Sequence, residues 1–396
     1  MSHKPDAYPA RDRHSSGILN APNVVRYMIL FALLGILQAS LGPMIRVVAV
    51  EHGISAATAG WLLSAFFVGS LCGTLFCAVA GERRIGHLSV APLTGMVAAG
   101  ALGLVFLPSW PTQLGAVAVT GFGFGALTLM INTEMAGRTE NGGLARVNLI
   151  NAAFALGAAA GPTVVAMTLQ GSSPWGLVVV AIVVLATVRR HTDTCAARSE
   201  SETRSQQPVV VVPRQLHLFC LLLFLYPALE TGLSSWETTY LSAVGYEDSS
   251  ASMLNSLFWV GLAAGRFAVP AVAARWSPAR SIQVALAMSL GSLVLIGVPA
   301  LAPIGFLIAG VCIGPINPSA LAWIAQVTVR PRRTSALAVA SAMFGNAALP
   351  TALGYAMAAT SERTLPVFVA VAVVGDLAIT LGLIRVHSRT SSFQEQ

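Results

Sequence analysis

Most of the chain is written in apolar runs long enough to cross a bilayer, separated by short breaks rich in polar residues, glycine or proline. A membrane-spanning helix needs about 20 mostly apolar residues. The pattern predicts twelve spans, over 24–50, 56–80, 89–107, 112–135, 144–169, 174–190, 216–242, 250–274, 279–299, 302–327, 334–358 and 364–386. Breaks such as Pro108-Ser109-Trp110-Pro111 and Arg330-Pro331-Arg332-Arg333 mark turns between them. The stretch from Gly121 to Pro162 departs from plain hydrophobicity. Thr128, Asn132 and Asn151 lie inside its apolar runs, and lipid alone would leave their polar atoms without partners.

Composition agrees with the pattern. Charged residues make up 10% of the chain and apolar residues 55%, whereas soluble chains carry about 25% charged residues. An all-α membrane protein is the fold class these values imply. The net charge of +7 is carried almost wholly by arginine, Lys4 being the one lysine. Arginines fall in alternate loops: Arg83 and Arg84, Arg138 and Arg146, Arg189 to Arg214, Arg275 and Arg280, and Arg330 to Arg333, with Arg46 and Arg363 as exceptions. The positive-inside rule places those loops and both termini in the cytoplasm of a cell whose inner membrane holds the protein. It also accounts for the basic charge without a nucleic-acid partner.

The expected division is a cytoplasmic tail over 1–23, a six-helix bundle over 24–190, a Ser/Thr/Arg-rich cytoplasmic linker over 191–215, a second six-helix bundle over 216–386 and a tail over 387–396. The first apolar run is longer than a signal-peptide core and lacks a small-residue cleavage site, so it reads as a span. No C-x-x-C pair occurs among the five cysteines, so neither a disulfide framework nor a metal site is expected. No cofactor is expected either.

The two bundles repeat each other. Ser64-x-Phe66-Phe67-Val68-Gly69-x-x-x-Gly73 recurs 192 residues later as Ser256-x-Phe258-Trp259-Val260-Gly261-x-x-x-Gly265. The same offset sets Arg83 on Arg275 and Gln38 on Glu230. Gly157-x-Ala159-Ala160-x-Pro162-Thr163 recurs as Gly345-x-Ala347-Ala348-x-Pro350-Thr351, and Gly121-x-x-x-Gly125 falls on Gly310-x-x-x-Gly314. Each repeat crosses the membrane an even number of times, so the two are parallel repeats related by an axis along the membrane normal.

Six spans, a basic linker and six more, with arginines after the second and eighth, resemble the major facilitator superfamily. The loop that family carries after its second helix is altered here to Gly81-Glu82-Arg83-Arg84-Ile85-Gly86-His87. Within the superfamily, three pieces look most like fucose-permease-type sugar symporters: the Gly-x-Gly-x-Gly run before Asn132, Tyr226-x-x-x-Glu230 with Trp236 and Tyr240, and Phe258-Trp259-x-Gly261-x-x-x-Gly265-Arg266. Gly157-x-x-x-Gly161-Pro162 instead resembles part of the fifth-helix motif of proton-coupled drug antiporters. The resemblance implies that the third, sixth, ninth and twelfth spans are peripheral and the others line a central cavity.

A carboxylate at mid-membrane costs about 2.5–3.5 kcal/mol on insertion scales and calls for a reason. Glu230, near the middle of the seventh span, is the expected proton-coupling group. On a regular helix Tyr226 and Glu237 share its face and would line a cavity wall from centre to outer mouth. Gln38, Thr128, Asn132, Asn151, Tyr226, Trp259, Asn317 and Asn346 are the expected solute-binding residues, since amides and hydroxyls both donate and accept to a hydroxyl-rich solute. Arg83, Arg266, Arg275, Gly161 and Pro162 are the expected gating positions, Arg266 either snorkelling to the cytoplasm or pairing with a carboxylate. Trp236, near a span end, reads as an interfacial belt residue, and Asp376 as a buried packing group.

The functional expectation is a monomeric secondary transporter whose partners are a small solute, protons and the bilayer. No nucleotide-binding loop and no H-E-x-x-H or G-x-S-x-G motif occurs, so neither ATP hydrolysis nor an enzyme activity is expected. Proton-coupled uptake of a polar, sugar-like solute is one direction; proton-coupled efflux of a drug or secreted metabolite is the other.

Overall fold

A computed structural model describes residues 24–85, 90–137, 143–171, 213–273, 275–327 and 331–394. The predicted sixth span, the linker up to 212 and the N-terminal tail lie outside these residues, and the last three residues of the predicted linker, 213–215, begin the helix of the seventh span. Among them every regular element is helical, as lipid demands of a chain whose backbone groups must bond internally. Nine of the described helices are long and apolar enough to cross a membrane. Ordinals below follow the predicted spans. The first is Val24–His52; a single turn, Ala56–Ala59, leads into the second, Trp61–Ile85; the third, fourth and fifth are Val90–Phe106, Trp110–Gly137 and Gly143–Gly171. The eighth, ninth, eleventh and twelfth are Asp248–Ala273, Pro278–Ile296, Pro331–Ala359 and Leu365–Gln394.

Two of the described spans are interrupted within their length. The seventh runs as α-helix over Pro213–Pro227, widens to a π-helix over Ala228–Gly232 and resumes as α-helix over Leu233–Ala243. Pro227 has no N–H for the regular ladder, and the wider turn follows directly. The tenth breaks between Ala302–Ile313 and Ile316–Val327 at Gly314-Pro315 for the same reason.

Helix pairing repeats between the N-terminal and C-terminal spans. First packs on fifth as seventh on eleventh; second on fourth as eighth on tenth; third on fourth as ninth on tenth. Glycines set the closest approaches. A methyl group at Gly69 or Gly73 would collide with the carbonyl of Ala118 or Phe122, and one at Gly121 or Gly125 with that of Phe66 or Ser70. The eighth–tenth crossing is built the same way, with Gly261 and Gly265 against Leu307 and Val311, and Gly310 against Phe258. Gly157 rests on the Ala32 carbonyl, and its counterpart Gly345 on that of Phe224. Even the terminators match: Gly53 and Gly245, 192 residues apart, end the first and seventh spans at φ of 63° and 110°, where a side chain would be strained.

The turns at 53–55, 107–109, 244–247, 297–301 and 360–364 gather at one end of the molecule. His52 bonds Gln113 at 3.0 Å, the Tyr246 hydroxyl donates to the Pro299 carbonyl at 3.0 Å, and Arg363 donates to the Ala243 carbonyl at 3.0 Å. Toward this end the N-terminal and C-terminal spans are sewn together. Arg46 meets Asp248 at 3.2 Å, Trp61 Nε1 donates to the Tyr355 hydroxyl at 2.8 Å, and the Thr163 and Ser256 hydroxyls lie 3.0 Å apart. Ser64 donates to the Ala347 carbonyl at 2.5 Å, and Thr351 to that of Gly60 at 3.1 Å. Trp236 is a correction to the sequence reading. It is no belt residue but fully buried in this seam, its ring against Gly60 and Gly354 and its Nε1 donating to the Pro350 carbonyl at 2.7 Å.

The glycine contacts predict a clear asymmetry. Gly157→Leu, which must push the first and fifth spans apart, should cost about 1–3 kcal/mol and lower the melting temperature in detergent. Gly115→Leu, placed where a side chain meets open space, should leave it unchanged; equal melting temperatures would contradict the close-packing account.

Candidate functional site

The π-turn is where the seventh span's chemistry gathers. Such turns widen the helix and re-aim the side chains beyond them. Glu230 lies within it, and its carboxylate is held from two sides. The Tyr226 hydroxyl, one turn back, donates to Glu230 Oε2. Arg266 Nη2, from the eighth span, donates to Oε1 at 2.9 Å and Oε2 at 3.0 Å. The side chain of Glu230 is 12% exposed and that of Arg266 33%, so the carboxylate is nearly enclosed while the guanidinium stays open to its surroundings. Close eighth–tenth packing fixes the arginine's backbone, because Gly314 sits directly against the Arg266 nitrogen. In this structure Arg266 pairs with Glu230.

The next residue extends the cluster to the eleventh span. Thr231 donates to Asn346 Oδ1 at 2.5 Å, and Asn346 Nδ2 donates to the Ala342 carbonyl at 3.2 Å. A second polar group lies on the N-terminal side. Asn151 Nδ2 donates to Asn132 Oδ1 at 3.1 Å and to the Val147 carbonyl at 2.7 Å, while Asn132 Nδ2 donates to the Thr128 carbonyl at 2.8 Å. Asn151 is exposed and Asn132 and Thr128 are half-buried. Nearby, the Tyr27 hydroxyl donates to Glu134 Oε2 at 2.7 Å, tying first span to fourth. At the repeated positions Phe219 and Trp323 make an edge-on aromatic contact, with centroids 5.4 Å apart. One crossing is thus polar and its counterpart apolar.

The remaining expected residues fall outside both groups. Gln38 and Asn317 are half-buried on the first and tenth spans. Trp259 is 4% exposed, edge-on to Phe258, and its ring N–H has no partner among the described residues. Gly161 packs on the Ile36 carbonyl, accepts from Ser40 at 3.2 Å, and is followed by buried Pro162. Arg275 is exposed in the turn after the eighth span; the Arg83 side chain lies outside the described residues.

Glu237 corrects the expected stripe on the seventh span. A regular helix would stack it over Glu230, but the π-turn adds a residue between them and turns its side chain away. It is fully buried against the eighth span, where Asn255 Nδ2 donates to Oε2 at 2.9 Å. Thr231, Asn255 and the Arg46–Asp248 pair were not foreseen from sequence. The threonine gave no signal among many membrane threonines, and the other two depend on which span ends meet.

Removing one partner of an enclosed ion pair strands the other. Arg266→Ala should therefore destabilise the protein by roughly 1–3 kcal/mol, below the loss for a sealed pair because the guanidinium is partly solvated. The double variant Glu230→Gln with Arg266→Gln should recover most of that loss in thermal melts. A double variant no more stable than Arg266→Ala would contradict the pairing.

A search of curated proteins finds no match to this chain. Solved structures share its fold at low identity. The nucleoside transporter NupG superposes with a TM-score of 0.74 at 12% identity, over 92% of this chain and 98% of that one. The D-xylose–proton symporter gives 0.66 at 12% identity, over 89% and 96%. The E. coli fucose:proton symporter FucP gives 0.59 at 15% identity, over 91% and 97%. The family model described as Major Facilitator Superfamily matches residues 27–349. With most of its length matched, and with paired helices repeated about the seam just described, this chain belongs to the Major Facilitator Superfamily.

Proposed function

We propose that the protein is a proton-coupled symporter taking up a polar, hydroxyl-rich solute of the sugar or nucleoside class by alternating access. It sits in the inner membrane with both termini cytoplasmic, as two six-helix bundles about a central path. The observation that carries the reading is the Tyr226–Glu230–Arg266 cluster in the π-turn. It combines a carboxylate that can take a proton, a cation that competes for it, and a phenol that holds its other side. Protonation of Glu230 would release Arg266, whose planar array of donors suits solute hydroxyls. Thr231–Asn346 and Asn132–Asn151 supply further donors and acceptors. The similar folds named above include a nucleoside transporter and two sugar–proton symporters, which supports the solute class.

Efflux is the competing direction, and its sequence support is weakened by packing. Gly157 and Gly161 are accounted for by the first–fifth crossing, and Gly345 serves the same purpose between the seventh and eleventh.

The test uses purified protein in proteoliposomes with radiolabelled nucleosides and sugars. A solute of this class should accumulate when the outside is acidic. Glu230→Gln should abolish that accumulation while leaving solute exchange at equal pH. Undiminished accumulation by Glu230→Gln would remove Glu230 from the coupling, and extrusion of an apolar compound against its gradient would reverse the direction.

A further inference from the structure

The seventh span carries a second carboxylate that the central cluster does not use. Glu237 and Asn255 have no solvent exposure at all. Asn255 Nδ2 directs its hydrogens to Glu237 Oε2 at 2.9 Å and the Ser234 carbonyl at 2.6 Å. Glu237 Oε1 has no donor among the described residues, and Asn255 Oδ1 and the Thr238, Thr239 and Ser252 hydroxyls also lack partners there. The charged groups of the neighbouring elements are engaged elsewhere or bonded to other groups. Arg46 holds Asp248, Arg363 holds the Ala243 carbonyl, and His52 holds Gln113. Glu51, Glu247, Glu362 and the buried Asp376 are acids and offer no cation to answer it, and Arg266 is held by Glu230. The Tyr240 hydroxyl donates to the Ile296 carbonyl, and the Tyr355 hydroxyl accepts from Trp61. A charged carboxylate sealed from water against one neutral amide is costly, whereas a neutral acid needs only hydrogen-bond partners.

Its position gives that cost a use. The residues just before it form the seam: the Ser234 and Ser235 backbone lies against Gly42 of the first span, and Trp236 against Gly60 and Gly354. Glu237 stands one turn beyond Ser234, and its partner Asn255 also holds the Ser234 carbonyl that lies against Gly42, so parting the first and seventh spans would open the contact beside this pair. We infer that Glu237 is a proton-binding site whose protonation permits the seam to close. A proton from water on the seam side adds to a carboxylate oxygen and cancels the charge before burial; reopening returns the proton to that water. Low pH on the seam side thereby favours the closed arrangement. The inference rests on the alternating-access reading above. Asp376 supplies the natural comparison. It is equally buried, with both carboxylate oxygens unpartnered among the described residues. Yet it lies on the twelfth span, which packs on the ninth and seventh and carries none of the crossing bonds named above.

The test reads seam opening with Ser235→Cys in full-length protein whose five native cysteines are replaced. Labelling by a membrane-impermeant maleimide is followed across pH and normalised to an exposed reference cysteine. With Glu237 present, labelling should rise as the medium becomes alkaline. Glu237→Gln, which mimics the neutral acid, should lose that rise and stay protected, while Asp376→Asn keeps it. Infrared spectroscopy of otherwise unaltered protein gives a readout independent of labelling: a protonated-carboxyl band should persist in the closed state, vanish in Glu237→Gln and shift in Glu237→Asp. An unchanged pH response in Glu237→Gln, or a band unaffected by both substitutions, would overturn the inference. A seam that responds to pH in protein that moves no solute would sustain it while refuting the transport reading.

Discussion

A charge within the hydrocarbon layer has to be met by another charge, and the Glu230–Arg266 pair is where this chain meets that demand. The contact holds only because several levels of structure agree. Pro227 opens the helix into a π-turn, the turn carries Glu230, and the glycine-lined eighth–tenth crossing fixes the backbone from which Arg266 reaches across. The pair therefore reports on helix geometry as much as on electrostatics. Its asymmetry suits a switch, since an enclosed carboxylate faces a guanidinium that remains a third exposed.

The seam obeys a different rule. There the crossing contacts among the described residues are hydroxyls bonded to carbonyls or to other hydroxyls and the Trp61 indole bonded to the Tyr355 hydroxyl, together with the ion pair Arg46–Asp248. Such contacts are individually modest, about 1 kcal/mol each, so a set of them can close firmly yet part without one prohibitive step. Close glycine packing is concentrated within the N-terminal and within the C-terminal spans. Under the alternating-access reading proposed above, the glycine-packed spans would move as units and the polar seam would part between them.

Much of this was legible in the sequence, and what was hidden has a physical cause. The described helices follow the predicted spans closely because length and hydrophobicity fix a crossing almost alone. The repeat was readable because Gly69, Gly73, Gly261 and Gly265 are held to their spacing by carbonyls that a methyl would strike. Tyr226 was rightly set beside Glu230, four residues apart on one face. Glu237 was not, because a helical period carried through Pro227 does not include the extra residue of the π-turn. Trp236 was misplaced for a related reason: an indole near a span end looks alike at a lipid interface and in a sealed contact, and only Gly60 and Gly354 distinguish them. The Asn132–Asn151 bond was implied by the cost of lone amides, although no pattern named the partner.

The most direct measurement of the central claim is the sign of solute-driven proton movement. Proteoliposomes are prepared without a pH gradient in weakly buffered medium, and the external pH is recorded as a hydroxyl-rich solute is added. Proton symport predicts that the outside turns alkaline in step with solute entry. Solute entry with no pH change, or with acidification outside, would contradict it.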